Sequence, residues 1–441
     1  MKKMRWNHFI PLLAGALFVT ASAAQAAVHT VYPGQSIQEA IDEALPGDTI
    51  LVEPGTYSAD AGSTYGLHIT KDNLRLIGKV KKGLGEAGKV RLVYEGEFYD
   101  PENYCLADEA EIPPDEERND EVCDGGQRTG IFAAPVGCEF EDDLEDCEAR
   151  IGEFENLQGF YVRGFSVEGF PRNGIQTRWV DDFEFADNTS VNNLNNGIYP
   201  TLSANGMVRN NESYGSLDTA MWIAASENVR VIGNDLHGSV IGFEITVSND
   251  VLVKQNKMYD NTVGVGLFHP NGAGNPPKPV MANWVIEHND IYDNNRPNEA
   301  LEGTFQESLP SGAGVLLVGV SDHVVAKNNV KDNDFVGIAV LGWCTALAGG
   351  PRDCGDGSGL RWPPEALNNL ITQNYLSGNG GSPPDGAPFP PVDLLYLQFE
   401  VDADESGNCF EKNKPKSGLT TYAAYPSAPP PAGGPLPTAG C

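Results

Sequence analysis

The sequence predicts an all-β fold, one chain wound as a single parallel β-helix of about ten coils with an N-terminal capping helix. Two repeats and one helix carry this reading. The pattern apolar-x-apolar-x-x-Asn recurs as FEFADN (183–188), VRVIGN (229–234), VLVKQN (251–256), WVIEHN (284–289) and HVVAKN (323–328). GMVRNN (206–211) and NLITQN (369–374) are weaker copies. The first of these asparagines, Asn188, Asn211, Asn234 and Asn256, are spaced by 23, 23 and 22 residues. A second series keeps the same period: Gly174, Gly197, Ala220, Gly242, Gly264, Gly314 and Gly337 each open a short apolar strand. No such strand buries its inner face alone, whereas stacked coils bury all of them together. Asparagine tolerates a left-handed backbone and can bond to neighbouring coils through its amide, so a stacked ladder accounts for it. A β-sandwich gives no reason for asparagine at a fixed phase.

The helix is expected where Ile37, Ala40, Ile41, Ala44 and Leu45 share one face, with Ser36 and Glu39 as a capping box and Pro46-Gly47 as the stop. It supplies the apolar lid that a first coil needs. Strands are expected near Thr49–Val52, Leu67–Ile69, Leu74–Ile77 and Val90–Val93.

Residues 1–26 read as a signal peptide: Lys2, Lys3 and Arg5, an apolar stretch over 9–19, and Ala24-Gln25-Ala26 before the cut. The apolar stretch is too short for a membrane span, and no later one is longer, so the chain is expected in the periplasm or secreted. Eight cysteines in an exported chain read as disulfides. Pairing is expected within the groups Cys105/Cys123/Cys138/Cys147, Cys344/Cys354 and Cys409/Cys441. A zinc site lacks any CxxC pair.

The β-helix domain is expected over 27–380. An acidic, cysteine-containing insert at about 98–150 interrupts it, and a proline-rich segment, 381–441, packs on the rod. The formal net charge is −32, and residues 100–150 alone hold 18 acidic and three basic residues. Nucleic acid is thereby excluded as a partner. The clustered carboxylates read either as a solvated loop that aids solubility or as a Ca2+ site, with Ca2+ the candidate cofactor and metal ligands unassigned. Asp402, Asp404 and Ser406-Gly407 resemble half of a calcium loop, with Asn413 where a bidentate glutamate belongs.

Counting from each ladder glycine, positions +1 and +3 are mostly apolar and point inward. Positions +2 and +4 then point outward: Gln176/Arg178, Tyr199/Thr201, Trp222/Ala224, Glu244/Thr246, Gly266/Phe268, Leu316/Val318 and Ala339/Leu341. Over the first five coils this row mixes aromatic, cationic and acidic groups. Arg178, Tyr199, Trp222 and Phe268 are the candidate substrate-binding residues. Glu244, Asp218 on the strand's lip, and His269 at its end are the candidate catalytic groups. The rival is structural: outward side chains pack under the 295–312 insert or the C-terminal segment, as an apolar strip such as Leu316 to Leu341 must.

The opening VYPGQSIQEAIDEALPGDTILVEPGTY and the coils GIYPTLSANGMVRNNESYG and MWIAASENVRVIGNDLHGSVIGFEI resemble the pectin-lyase-like, right-handed parallel β-helix superfamily. The resemblance spans roughly residues 28–380 and implies right-handed coils with a cleft along such a strand row. The RxPxxR run of pectate lyases and the Asp-Pro-His signature of alginate C5-epimerases are absent. Two functions follow as expectations. One is a polysaccharide-active enzyme (lyase, C5-epimerase or hydrolase) using Glu244, Asp218, Tyr199 or His269 as base and Arg178 as cation. The other is a non-catalytic periplasmic accessory or carbohydrate-binding protein. A polysaccharide is the expected partner of both, and no protein partner is assigned.

Overall fold

A computed structural model describes residues 26–58, 65–83, 85–95, 129–136, 155–268, 281–347, 362–382, 392–415, 420–438 and 441. The signal-peptide segment therefore lies outside the described residues except for Ala26. So do His269, most of the acidic insert and its cysteines.

Short strands with one inward apolar face leave the chain one way to bury them, and it coils. Among the described residues three parallel sheets result, of 14, 11 and 11 strands. In each coil the chain passes from the third sheet to the first, then the second, then the third again. In the coil of Ala220 these strands are Thr219–Ala224, Glu227–Ile232 and Asp235–His237, followed by Ile241–Thr246. The inward positions Ile175, Ile198, Met221, Phe243, Val265, Val315 and Ile338 all belong to one continuous buried core, as their parity requires. The helix is observed at Ile37–Glu43, with the Ser36 hydroxyl accepting from the Glu39 N–H at 3.0 Å. Ile37, Ile41 and Ala44 are buried, but Leu45, expected on the same face, is 63% exposed because the helix ends before it.

The ladder asparagines do not take the left-handed conformation expected of them. That conformation falls on the residue before: Asp187, Asn210, Gln255, His288, Lys327 and Gln373 all have φ between 54° and 58°. The asparagines themselves are buried acceptors and donors. Asn211 Oδ1 accepts from the Asn188 backbone N–H at 3.0 Å and Asn234 Oδ1 from that of Asn211 at 2.9 Å. Each Nδ2 donates back to a first-sheet carbonyl, as Asn234 does to Val208 at 3.0 Å. A corner residue has lost its strand partners, and the amide replaces them.

Asn261, Asn294, Asn333 and Asn379 form a second ladder of the same kind. Asp260, Asp293 and Asp332 are its left-handed turn residues. The glycine series answers to the next coil's backbone as well as to this ladder: a Cβ at Gly197 would stand 2.5 Å from the Ala220 carbonyl oxygen, and one at Gly264 2.7 Å from that of Gly314. A Cβ at Gly264 would stand 2.7 Å from Asn294 Nδ2, and one at Gly242 2.7 Å from Asn261 Nδ2. Ala220 is the one member with a methyl group, and the ladder residue at its phase is the shorter Ser239.

Two boundaries differ from expectation. Within the acidic insert, Thr129–Ala133 is a third-sheet strand paired with both Tyr65–Ile69 and Ile175–Arg178. The C-terminal segment also continues the coils through Val392–Leu397, Cys409–Glu411 and Thr421–Ala424. Cys409 and Cys441 form the expected disulfide. Asn413, set against a calcium-loop glutamate, instead ends the first ladder and accepts from the Asn374 N–H at 3.1 Å. No described helix is long and apolar enough to cross a membrane.

Candidate functional site

The outward face of the third sheet changes character along the rod, and Glu244 stands at the change. Register places Gln176 beside Tyr199, Trp222 beside Glu244, Glu244 beside Gly266 and Gly266 beside Leu316. Downstream of Glu244 the face is apolar and covered. Leu316, Val318, Ala339, Trp343 and Leu395 form a second buried cluster with Leu309 and Phe335. Phe305, from the 295–312 insert, meets Phe268 edge-on at 5.2 Å. That insert is a cover over the apolar half, which is where the structural reading placed it.

Phe268 belongs to this covered half. It points outward as parity predicts but is 2% exposed, its ring folded over Gly266, where a Cβ would fall 2.3 Å from it. It forms a wall next to Glu244 instead of an open surface for a sugar ring.

Glu244 is also 2% exposed. Burial first, then the Asp218 charge, holds its carboxyl well above the ordinary 4.5, against the lowering effect of a Thr219 hydrogen bond. Thr219 Oγ1 lies 2.8 Å from Glu244 Oε2 and 2.9 Å from Asp218 Oδ1. A hydroxyl has one hydrogen to give, so it cannot donate to two carboxylates. A protonated Glu244 donating to Thr219, which donates to Asp218, satisfies all three groups. The sequence candidates Glu244 and Asp218 are thus brought together, through a residue the sequence reading did not single out.

Upstream lies a polar, half-open stretch. Tyr199 and Trp222 stack on each other at 4.6 Å and 13°. Each ring spends one face on the other, so they present edges and their two outer faces in place of the row of open faces expected. Trp222 Nε1 donates to Thr246 Oγ1 at 3.0 Å, fixing the indole. Gln176 Oε1 accepts from Asn173 Nδ2 at 3.0 Å, and Asn173 Oδ1 accepts from Asn196 Nδ2 at 3.1 Å. Gln176 Nε2 and Asn196 Oδ1 are buried without a hydrogen-bond partner. Arg178, one row over, is 3% exposed.

Asn173, Asn196 and Thr219 share one phase, immediately before the ladder glycine. Later coils carry Ile241, Val263, Ala313 and Val336 there, all in the covered cluster. This polar-to-apolar switch is a signal in the sequence that would have found them.

Each strand of this half ends in a left-handed residue, Trp179, Leu202, Ala225 and Val247, with φ of 55°, 52°, 46° and 43°. A valine there is strained, because its branched Cβ crowds the backbone. His269 shares this phase but lies outside the described residues, so nothing places its ring. Among the described residues one trio could approach a metal, Cys409, Glu411 and Cys441, and its two cysteines are joined as a disulfide.

A family model described as right-handed beta helix region matches residues 156–349, and one described as a protein of unknown function (DUF1565) matches residues 25–104. No curated protein matches the chain in sequence. Among solved structures, the chain is similar to the A-module of Azotobacter vinelandii mannuronan C-5 epimerase AlgE4. That match has 15% identity, covers 88% of this chain and 92% of the other, and has a TM-score of 0.50. It is also similar to DFA-IIIase from Arthrobacter chlorophenolicus A6 without its lid, at 13% identity, 91% of each chain and a TM-score of 0.52. The same enzyme in complex with GF2 gives 13% identity, 90% of this chain, 91% of the other and a TM-score of 0.51. At these identities the likeness is one of fold.

Proposed function

We propose that this chain uses its right-handed parallel β-helix fold to bind and process a polysaccharide along the third sheet, between Gln176 and Glu244. One observation carries the reading: a buried carboxyl, Glu244, shares a single hydroxyl with a second carboxyl, Asp218, at the end of a polar and aromatic row. Two carboxyl groups in contact through one hydroxyl, one of them buried and holding its proton tightly, are equipment for acid–base work on glycans. The fold neighbours include a mannuronan epimerase, which supports the substrate class. In this reading Glu244 is the acid, and Thr219 passes the proton between Glu244 and Asp218. Trp222, Tyr199, Gln176 and Arg178 hold the sugar. The chain is exported, with the leader ending at Ala26.

A second reading is binding without turnover, and the burial of Glu244 favours it, since a substrate must reach a group that is 2% exposed. A polysaccharide panel separates the two, with unsaturated uronate absorbance, reducing ends, C5 proton exchange and binding recorded with and without calcium. Turnover lost in Glu244→Gln supports the enzyme. Binding lost in Trp222→Ala with no turnover on any glycan supports the second reading. Neither signal on any glycan overturns both.

A further inference from the structure

Asp48 is a carboxylate with three donors, of which only the His29 imidazole can carry a charge. It is 4% exposed, in the turn between the capping helix and the strand Thr49–Val52. Its Oδ1 accepts from the Ala27 backbone N at 2.7 Å, and its Oδ2 accepts from the Leu45 N–H at 2.9 Å and meets His29 Nε2 at 3.0 Å. These bonds, Leu45 first, then His29 and Ala27, pull its acidity to about 2.

Cations on adjoining segments are engaged elsewhere. The Lys71 ammonium caps the helix carbonyls of Ile41 and Ala44, both at 2.8 Å. The Arg75 guanidinium lies 4.3 Å over the Tyr161 ring. Asp72, the other acid there, accepts from the Gln158 N–H at 2.8 Å. Ala27 is held from both sides, since its carbonyl also accepts from the Thr49 N–H at 2.9 Å. Ala26, one residue earlier, is exposed.

We propose that the Ala26–Ala27 bond is a processing site and that Asp48 is the receptor for the α-ammonium that cleavage creates. The proposal rests on the export reading above. A leader-removing endopeptidase hydrolyses the bond with one water, leaving a carboxylate on Ala26 and an ammonium on Ala27. The nitrogen already seated on Asp48 then changes from a neutral amide donor to a cation, and a charge-assisted bond replaces a neutral one. Cleavage at any other bond puts the new charge elsewhere. Processing thereby locks the first strand of the first sheet onto the second.

The test compares two purified chains, one beginning with a free Ala27 amine and one carrying two extra residues, Gly-Ser, before it. At pH 7 the free-amine form is expected to melt higher by roughly 2–4 °C. The ammonium's affinity for its proton is raised by its partner. Its contribution is therefore complete below its unfolded value of about 8 and lost as pH rises through the folded value, so the gap closes in alkali. Both forms carrying Asp48→Asn should melt together, and acetylation confined to the α-amine, with the lysines shown free by mass spectrometry, should erase the gap. Equal melting at pH 7, or a gap surviving Asp48→Asn or acetylation, overturns the receptor. N-terminal sequencing of the processed protein should start at Ala27, and any other start overturns the site. A chain that stays unprocessed inside the cell refutes export, while the melting comparison still judges Asp48 independently.

Discussion

Thr219 sits between Glu244 and Asp218, 2.8 Å from one carboxyl oxygen and 2.9 Å from the other, and its single hydrogen can serve only one of them, which leaves the other acid to supply a proton of its own to the shared contact. Burial selects Glu244 for that role. Both the chemistry proposed for the site and its cost to stability follow from this contact.

The cost depends on pH. Glu244 binds its proton more tightly folded than unfolded, so its contribution is full below the unfolded value of 4.5 and declines as pH rises toward the folded value. Glu244→Gln carries no charge at any pH. It is expected to melt at or below the parent at pH 4 and several degrees above it at pH 8, in thermal scans across that range. A variant that gains nothing at pH 8 would show that Glu244 is not held protonated.

If Glu244 is the acid, turnover requires its protonated form. The rate of kcat/KM on the active glycan should fall on the alkaline side with the titration of Glu244, and Glu244→Gln should lower it by ~10²–10⁴ while leaving binding within a few-fold. Thr219→Val should shift the alkaline limb, because the hydroxyl tunes the carboxyl. An unchanged limb in Thr219→Val would refute the shared-proton arrangement.

Asn234→Ala removes the acceptor for the Asn211 N–H and side-chain amide and the donor to the Val208 carbonyl, all of them buried. Each stranded group costs about 1–3 kcal/mol, so the variant should lose roughly 3 kcal/mol or more in denaturant titration. Asn329→Ala, whose side chain bonds only to Asp290 at the exposed surface, is the control and should cost under ~0.5 kcal/mol.

Gly264→Ala places a Cβ 2.7 Å from Asn294 Nδ2. It should destabilise by about 1–3 kcal/mol. In Asn294→Ser, which copies the Ala220/Ser239 pairing, the same alanine should cost less. A double-mutant cycle measures the coupling, expected above ~0.5 kcal/mol. Strict additivity would mean that the Gly314 carbonyl oxygen and Ile291, each also 2.7 Å from that Cβ, exclude the alanine without help from Asn294.

The coil period and the inward and outward parity were readable from the chain. They are local: strand alternation and corner residues repeat because every coil meets the same neighbours above and below. Parity alone put Tyr199, Trp222 and Glu244 on one face. The C-terminal coils were missed because their corners carry long loops that break the spacing, although the ladder continues through Asn374 to Asn413.

The sequence by itself determined which side chains face out. It could not say which outward side chains are covered, because cover comes from segments far along the chain. Phe268 and Trp222 have the same parity, yet Phe305 closes over the first, and the second stays half-open against Tyr199. The state of Glu244 was likewise a tertiary matter. Neighbouring coils set its burial and its contact with the Thr219 hydroxyl, and a carboxyl's hold on its proton depends on that water exclusion and on the charge beside it.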